Sequence, residues 1–468
     1  MTDNLSRISA DKRLKVAVVG GGPSGFYAAE ALLAAERPIE VDLIERLPTP
    51  YGLVRFGVAP DHPKLKSVCS TFAAIAAHER FAFFGNVEVG RDLETGELLK
   101  LYDAVLFAHG ASSDRSLGIP GENLPGSHSA TEFVAWYNGH PDFRDCDFNL
   151  GTKHVVVVGQ GNVAVDVCRI LAKTADELRG TDICKHALEV LAESRVTDIH
   201  LVGRRGPAQA KFAAKELREF GELAAADPIV DPADLELAES CLAELASPAG
   251  AAAAQNIKFL RKFAAINPSK SRRIHVRFNL GPKAIEGCGR VERMLFERNC
   301  LVGEPFAQEG RPTGEIVELE TGLVLRSVGY RGVRLPGLPF DSRKHTVPHQ
   351  DGRILDENGA HLRGAYVSGW IKRGPSGIIG VNRADSIATV ESLLADFVDV
   401  SSDRQGRSGL KTLLAERRVE TVDFSMWSLI DAAECAAGQA TSKPREKITS
   451  IAEMLAVSRG ATSLSSVA

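Results

Sequence analysis

Two sets of small residues in this chain have the spacing that lets a backbone cradle a pyrophosphate. Gly20, Gly22 and Gly25 form one GxGxxG set, and Gly159, Gly161 and Ala164 form a GxGxxA set. In such a set the first glycine makes the tight turn, the second lets the backbone approach phosphate oxygens, and the third small residue lets a helix pack closely on a strand. The free N–H groups and positive dipole end of the helix that follows then attract the anion. The two sets differ in what closes the next strand. After "IEVDLI" comes Glu45, twenty residues past Gly25, whose carboxylate suits a ribose with a free 2′-hydroxyl. After "DIHLVG" come Arg204 and Arg205, where a carboxylate would repel a 2′-phosphate and two guanidinium groups would bind it with charge-assisted hydrogen bonds. The first cradle therefore suits FAD and the second NADP(H). A flavin and a nicotinamide in one chain imply hydride transfer, with the cofactors carrying the chemistry.

The elements that must position these residues are legible around them. "KVAVV" and "HVVVV" read as short buried strands, each running into its glycine turn and then a helix, the second helix starting near Asn162. "AVLFA", Ala104 to Ala108, reads as a strand leaving the first unit, "GLVLRSVGYRG" as the return crossing, and "GAYVSGWIKRGPSGIIGVNRADSIATV" as strand, glycine-rich loop and helix closing over the flavin. The predicted fold is α/β, with two Rossmann-like dinucleotide-binding domains. Residues 1–114 and 330–468 form a discontinuous FAD domain, and residues 115–329 form an NADP domain inserted into it. The Ala-rich stretch 223–255 reads as helix-and-loop decoration. The Ser/Thr/Ala-rich tail from about 441 reads as a packed arm or a partly ordered end.

Composition narrows the class. With 468 residues, 44% apolar and 25% charged, the chain has room for two or three domains of ordinary globular make-up. Its net charge of −4 gives no global attraction to nucleic acid or anionic membrane. No apolar run reaches the ~20 residues of a membrane span. The start "MTDNLSRISADKRLK" lacks the apolar segment of a secretory signal, which points to the cytoplasm, or to an organellar matrix after loss of a leader. The eight cysteines show no CxxC or other close pair, so scattered reduced thiols are expected. That argues against a disulfide reductase, which needs a redox-active pair beside the flavin. No metal site is expected.

The strings "GGGPSGFYAAE", "TPYGLVRFGVAPDHPKLK", "FFGNVEVGRD", "GQGNVAVDVCRIL", "VGRRGPAQAKF" and "GWIKRGPSGIIG", in order from about residue 14 to 395, resemble the adrenodoxin-reductase type of ferredoxin–NADP reductase. The resemblance weakens at the Ala-rich segment and in the tail. It implies FAD contacts at Ser24, Glu45, Leu53 and Val89, with Trp370 and Gly377, Ile378 and Ile379 around the flavin. It implies NADP contacts at Gly159, Gln160, Gly161, Asn162, Arg204, Arg205, Glu216 and Gly377. It also places His62 and Asp166 near the flavin, as residues that tune coupling or relay a proton. Read alone, His62 is a loop histidine and Asp166 a first-turn helix acid.

The implied activity carries electrons from NADPH through FAD to a ferredoxin. A diaphorase or quinone reductase without a ferredoxin partner, and a non-catalytic NADPH-binding sensor, are the alternatives. From Leu245 to Ile285 there is no Asp or Glu, while Lys258, Arg261, Lys262, Lys270, Arg272, Arg273, Arg277 and Lys283 all fall there. The expectation is a docking surface for an acidic ferredoxin that includes Arg261, Lys262, Arg272 and Arg273; a solvated basic face is the plain alternative.

Overall fold

The first strand, β1 (Leu14–Val19), is apolar at almost every position because both its faces are covered. Val16 and Val18 enter one core and Ala17 and Val19 the other. The computed structural model describes residues 13–377, 379–398 and 402–460. In it β1 lies between β2 (Ile39–Ile44) and, on its other side, β4 (Ala104–Phe107), both parallel to it, with Val16 opposite Val41 and Val18 opposite Leu106. β3 (Phe81–Phe84) extends the sheet beyond β2. The chain leaves through β5 (Ser113–Asp114).

A second sheet follows. β6 (Ser127–Ser129), β7 (His154–Val158), β8 (Asp198–Val202), β9 (Ala226–Val230) and β10 (Arg272–Arg277) enter it in turn. A three-stranded antiparallel sheet of β11 (Leu280–Glu286), β12 (Arg293–Val302) and β13 (Glu309–Glu320) interrupts them. β14 (Leu323–Arg326) then slots between β6 and β7, giving the order β6-β14-β7-β8-β10-β9. β7 repeats the two-faced pattern of β1, with Val155 and Val157 in one core and Val156 and Val158 in another.

The return is β15 (Tyr330–Arg331), which pairs antiparallel with β5, Tyr330 opposite Asp114. β16 (His349–Gln350), β17 (Arg353–Leu355) and β18 (His361–Val367) then complete the first sheet, in the order β16-β17-β18-β4-β1-β2-β3, with β18 parallel to β4. The architecture is thus α/β with two Rossmann-like units, the second inserted into the first, as expected.

One segment departs from its sequence reading. The Ala-rich stretch is not only decoration: it supplies β9, paired with β10. Pro228 sits within that strand opposite Ile274, which is tolerated because β9 is the sheet edge and a missing N–H there breaks no ladder on its outer side. The tail is a packed arm as far as it is described. Helices Phe424–Gln439 and Ile451–Ser458 add Trp427, Ile430, Met454 and Val457 to the core under the first sheet. The stretch between them crosses to the inserted unit, where Lys447 Nζ reaches Asp182 Oδ2 at 3.1 Å and Lys443 Nζ donates to the Ile183 carbonyl. Residues 461–468 lie outside the described residues.

Candidate functional site

Both glycine turns sit at the carboxyl ends of the central strands, β1 and β7, and each leads into a helix, Pro23–Leu33 or Asn162–Ala172. The N-caps of these helices are Gly22 and Gly161, and neither receives a side-chain cap. Elsewhere the ends vary: Ala130–Tyr137 and Ala175–Arg179 are closed by capping boxes, whereas Lys185–Ala192 and Ala251–Ala264 also lack a side-chain cap. At the two cradles the first-turn N–H groups are therefore left for a ligand. Close packing fixes the cradle shapes. A Cβ on Gly25 would overlap the carbonyl oxygen of Gly20, and one on Gly159, whose φ is +133°, would overlap that of Ser327.

Glu45 directly follows β2 and is tied to the first cradle. Its Oε2 accepts the Gly21 N–H at 2.7 Å and its Oε1 the Leu47 N–H at 3.0 Å. Burial pushes its carboxyl up, opposed by those two N–H groups. Each oxygen keeps a lone pair for a hydroxyl donor. Leu53 opens the short helix Leu53–Phe56, and Val89 is buried in the loop after β3.

The late segment comes back onto this cradle. Ser24 Oγ meets Asn382 Oδ1 at 3.2 Å, and Ser386 Oγ donates to the Ser24 carbonyl at 2.9 Å, clamping helix Val381–Asp396 on helix Pro23–Leu33. The Ser24 side chain is thus used within the protein. Gly377, with φ +81°, and Ile379 lie in the loop before that helix, and Ile379 packs on the core under the first sheet. Ile378 lies outside the described residues. Trp370 opens helix Trp370–Arg373 after β18, its ring 5.2 Å from that of Tyr330.

Among the described residues, the buried polar atoms at this end with no hydrogen-bond partner include Thr49 Oγ1, after β2, His109 Nδ1 and Nε2, after β4, and Trp370 Nε1, after β18. A buried polar atom left unpaired costs roughly 1–3 kcal/mol, so several of them beside an uncapped cradle fit a large ligand with its own donors and acceptors. With Glu45 aimed at a ribose, the residues present fit FAD.

The second cradle is served differently. Gln160 turns its side chain inward, filling the space beside Gly203 and donating to the Arg277 carbonyl at 3.0 Å, so only its backbone faces a ligand. Asn162 Oδ1 accepts the Ala213 N–H at 2.7 Å. Arg204 and Arg205 follow β8, and their carbonyls are held by Asn299 Nδ2 at 2.8 Å and the Asn279 N–H at 3.0 Å. Among the described residues neither guanidinium has a hydrogen bond or an ion pair. Two unneutralised guanidiniums on a tethered backbone beside a phosphate cradle fit a 2′-phosphate.

Glu216 does not join these arginines. It belongs to a charged cluster where the two units meet. There His62 Nε2 lies 3.0 Å from Glu219 Oε2 and 3.6 Å from Glu216 Oε2, and His62 Nδ1 lies 4.0 Å from Asp166 Oδ1. His62 and Asp166, more than a hundred residues apart in sequence, are thus brought together. Sequence reasoning missed the residue that organises them. Arg169, 1% exposed, donates to Asp61 at 2.7 and 2.8 Å and to Asp166 at 2.6 Å, and lies 3.4 Å from Glu219. Its signal was an arginine three residues after Asp166 on an otherwise apolar helix face, "VAVDVCRILA". The guanidinium, 3.7 Å from Glu216 Oε2 and 3.4 Å from Glu219 Oε2, also supplies the positive charge that these carboxylates and His62 would otherwise draw from a bound cation.

Burial raises the Asp166 carboxyl to about 6, against the pull of Arg169 and His62, which lets it exchange a proton near neutral pH. Burial also works to raise Asp61, but Arg169 and Lys173 outweigh it and hold that carboxyl well below the usual range.

The basic stretch is narrower than its sequence suggests. Arg272 donates to the Leu171 and Lys173 carbonyls, at 3.1 and 2.6 Å, at the end of helix Asn162–Ala172. Arg273 forms a two-pronged pair with Asp198 at 2.7 and 2.9 Å. Arg261 and Lys262 are exposed in the last turn of helix Ala251–Ala264, Lys262 standing 5.7 Å from the Phe259 ring centre. All four lie toward the amino ends of β8 and β10, away from the cradle end.

A family described as pyridine nucleotide-disulphide oxidoreductase matches residues 14–219. The NADPH-ferredoxin reductase FprA of Mycobacterium leprae (strain TN) is 46% identical over 456 residues, covering 95% of this chain and 98% of that protein. The mitochondrial NADPH:adrenodoxin oxidoreductase of Salvelinus fontinalis is 41% identical over 462 residues, covering 95% of this chain and 91% of that protein. The solved structure of Mycobacterium tuberculosis FprA in complex with NADPH superposes with a TM-score of 0.89 at 44% identity, over 96% of this chain and all of that one.

Proposed function

The chain belongs to the adrenodoxin-reductase type of ferredoxin–NADP reductases, and from that premise we propose that it moves electrons from NADPH, through FAD, to a one-electron iron–sulfur protein. The observation that carries this reading is the pair of uncapped cradles in one chain, one closed by a buried carboxylate and the other by two unpaired guanidiniums. FAD, when bound, supplies the chemistry: it accepts two electrons as a hydride and gives them up singly.

The chain's own residues bind and orient. Gly20, Gly22, Ser24, Gly25 and Glu45 hold the FAD pyrophosphate and ribose, Ser24 through its N–H. Leu53, Val89, Trp370 and the loop at Gly377 and Ile379 enclose the rest. The turn Gly159 to Asn162 holds the NADPH pyrophosphate, and Arg204 and Arg205 its 2′-phosphate. His62, Asp166 and Glu216 lie between the two sites, and Asp166 is a group there able to hold or release a proton near neutrality. Residues 1–114 and 330–468 carry FAD and residues 115–329 carry NADPH. The pairing of Tyr330 with Asp114 at the crossing supports that division.

The partner in this reading is an acidic ferredoxin. Because Arg272 and Arg273 are already paired, Arg261 and Lys262 carry the attraction; from the far end of the sheet they steer the encounter and do not form the exit contact for electrons. Eight free cysteines, Cys288 and Cys300 exposed among them, support a reducing compartment such as the cytoplasm. Among the described residues no helix is long and apolar enough to cross a membrane.

The test is NADPH-driven cytochrome c reduction by the flavin-loaded protein, with and without an added iron–sulfur protein. A rate that depends on the iron–sulfur protein is expected. Equal rates without it would make the protein a diaphorase, and flavin that NADPH does not reduce would leave only a nucleotide-binding sensor.

A further inference from the structure

Beside Arg205 lies a cavity of about 200 Å³ whose walls include Gln209, Lys211, Glu244, Ala253 and Phe306. Three features set it apart from an ordinary surface cleft. Its two cations are unspent: among the described residues neither the Arg205 guanidinium nor the Lys211 ammonium has a hydrogen bond or an ion pair. Its one acid is occupied elsewhere. Glu244, 6% exposed, turns Oε1 to the Phe306 N–H at 2.7 Å and Oε2 to Gln209 Nε2 at 2.7 Å. The third feature is Phe306 itself, in the turn between β12 and β13. That ring is 58% exposed, yet its backbone has φ +65°, a left-handed conformation that a bulky residue adopts only when something holds it. The holder is the buried Glu244 carboxylate, reaching across from helix Glu239–Ala246.

A flat apolar face, two free cations and small residues on the adjoining helix suit a flat aromatic base carrying a nearby phosphate. We propose that Phe306 is the stacking platform for the adenine of NADPH and that Lys211 is a third cation on its 2′-phosphate, beside Arg204 and Arg205. This rests on the NADPH reading of the second cradle and refines it. The Ala-rich segment thereby gains a role in binding, since Glu244 sets the platform and Ala253 leaves room beside it. Adenine stacking holds the adenosine half in any nucleotide with that base, while Lys211 reads only the 2′-phosphate.

Calorimetric titration of the flavin-loaded protein with 2′,5′-ADP and with 5′-ADP separates these roles without turnover. Stacking of a base on an aromatic side chain is sequence-tolerant and strong, so Phe306→Ala is expected to weaken both ligands by the same factor, about five- to a hundredfold, and Phe306→Tyr to restore them. Lys211→Met is expected to weaken 2′,5′-ADP about tenfold at low salt and less at high salt, and to leave 5′-ADP unchanged. If the wild type prefers 2′,5′-ADP but Phe306→Ala binds both ligands within about twofold of it, the platform is wrong while the NADPH reading stands. The lysine assignment falls in the same way if Lys211→Met retains full affinity for 2′,5′-ADP. A wild type that does not prefer 2′,5′-ADP over 5′-ADP overturns the NADPH reading and this assignment together.

Discussion

Gly22→Ala and Gly161→Ala ask whether the two cradles hold two different ligands. At both positions the protein leaves space: a Cβ built on Gly22 or Gly161 meets no atom within 4 Å. Both backbones are ones alanine adopts freely, with φ −85° and ψ −175° at Gly22 and φ −105° and ψ 176° at Gly161. The folded ligand-free protein should therefore tolerate each change, within about 0.5 kcal/mol or with a small gain from the stiffer unfolded chain. The added methyl stands instead where the reading places pyrophosphate oxygens. Pushing those oxygens outward weakens charge-assisted bonds to the first-turn N–H groups, at about 1.5–3 kcal/mol each, so a ten- to hundredfold loss is expected even if only one bond is lost. The effects should separate by cradle. Gly22→Ala should lose FAD, measured as flavin retained through gel filtration, while still binding 2′,5′-ADP. Gly161→Ala should stay yellow and lose NADP+ affinity by calorimetry. Thermal melts of the stripped proteins should match the wild type. Gly25→Ala is the contrast, since its Cβ would strike the Gly20 carbonyl and the fold itself should suffer. Unchanged affinities in Gly22→Ala and Gly161→Ala, alongside unchanged melts, would show that the glycines serve backbone geometry alone.

Arg204→Ala with Arg205→Ala should weaken NADPH by roughly tenfold or more per arginine while barely changing NADH, read from both Michaelis constants; equal losses would deny the arginines a role at the 2′-phosphate. Charge reversal at Arg261 and Lys262 should raise the apparent KM for an acidic ferredoxin and flatten its salt dependence, with dye reduction unaffected; if ferredoxin kinetics do not move, steering arises elsewhere on the surface. Lys66 shares Asp182 with Lys447, and burial first, then Lys447, depress it to about 7 against the pull of Asp182. The unfolded chain, with Lys66 at its ordinary value near 10.5, holds more protons than the native one between about pH 7 and 10.5, so this group makes stability rise with pH through that window and fall as pH drops toward 7. Lys66→Met should remove that slope from Tm measured against pH, and near pH 7 should lower Tm by no more than about 2 °C, because the Asp182–Lys447 pair remains. A large loss at pH 7 would mean that both lysines are needed.

The parts legible in the sequence were those dictated by backbone chemistry within a few residues. Gly20, Gly22, Gly25 and the second set at Gly159 and Gly161 announce themselves because a tight turn, a phosphate and a close helix each forbid a side chain. Glu45 and Arg204 were legible because strand length fixes where the next strand ends. What stayed hidden depended on distant partners. Arg272 and Arg273 count as charges in a sequence, but the Leu171 and Lys173 carbonyls and Asp198 absorb them. β9 was lost in its Ala-rich surroundings, with a proline inside it that only an edge strand accepts. The cluster around Arg169 joins Asp61, Asp166 and Glu219 from separate segments, and no local spacing records that. Lys443 and Lys447, in a polar tail, gave no hint of the buried seats they occupy.

The insertion of one unit into the other also sets an order of assembly. β18 lies beside β4 with Ala365 opposite Val105, a pairing of segments roughly 260 residues apart, which as a free loop would be slow to close. The intervening unit has its own sheet and cores, and its two exits already meet where β5 pairs with β15. Once it has folded, it acts as a short staple, and the search for the β4–β18 contact shrinks to that of a tight connection. During synthesis β1 to β4 emerge first, but they must wait for the inserted unit before their sheet can be completed. The first cradle, built on β1 and closed by residues after β18, is then competent only once the inserted unit has folded, although its glycines leave the ribosome long before those residues.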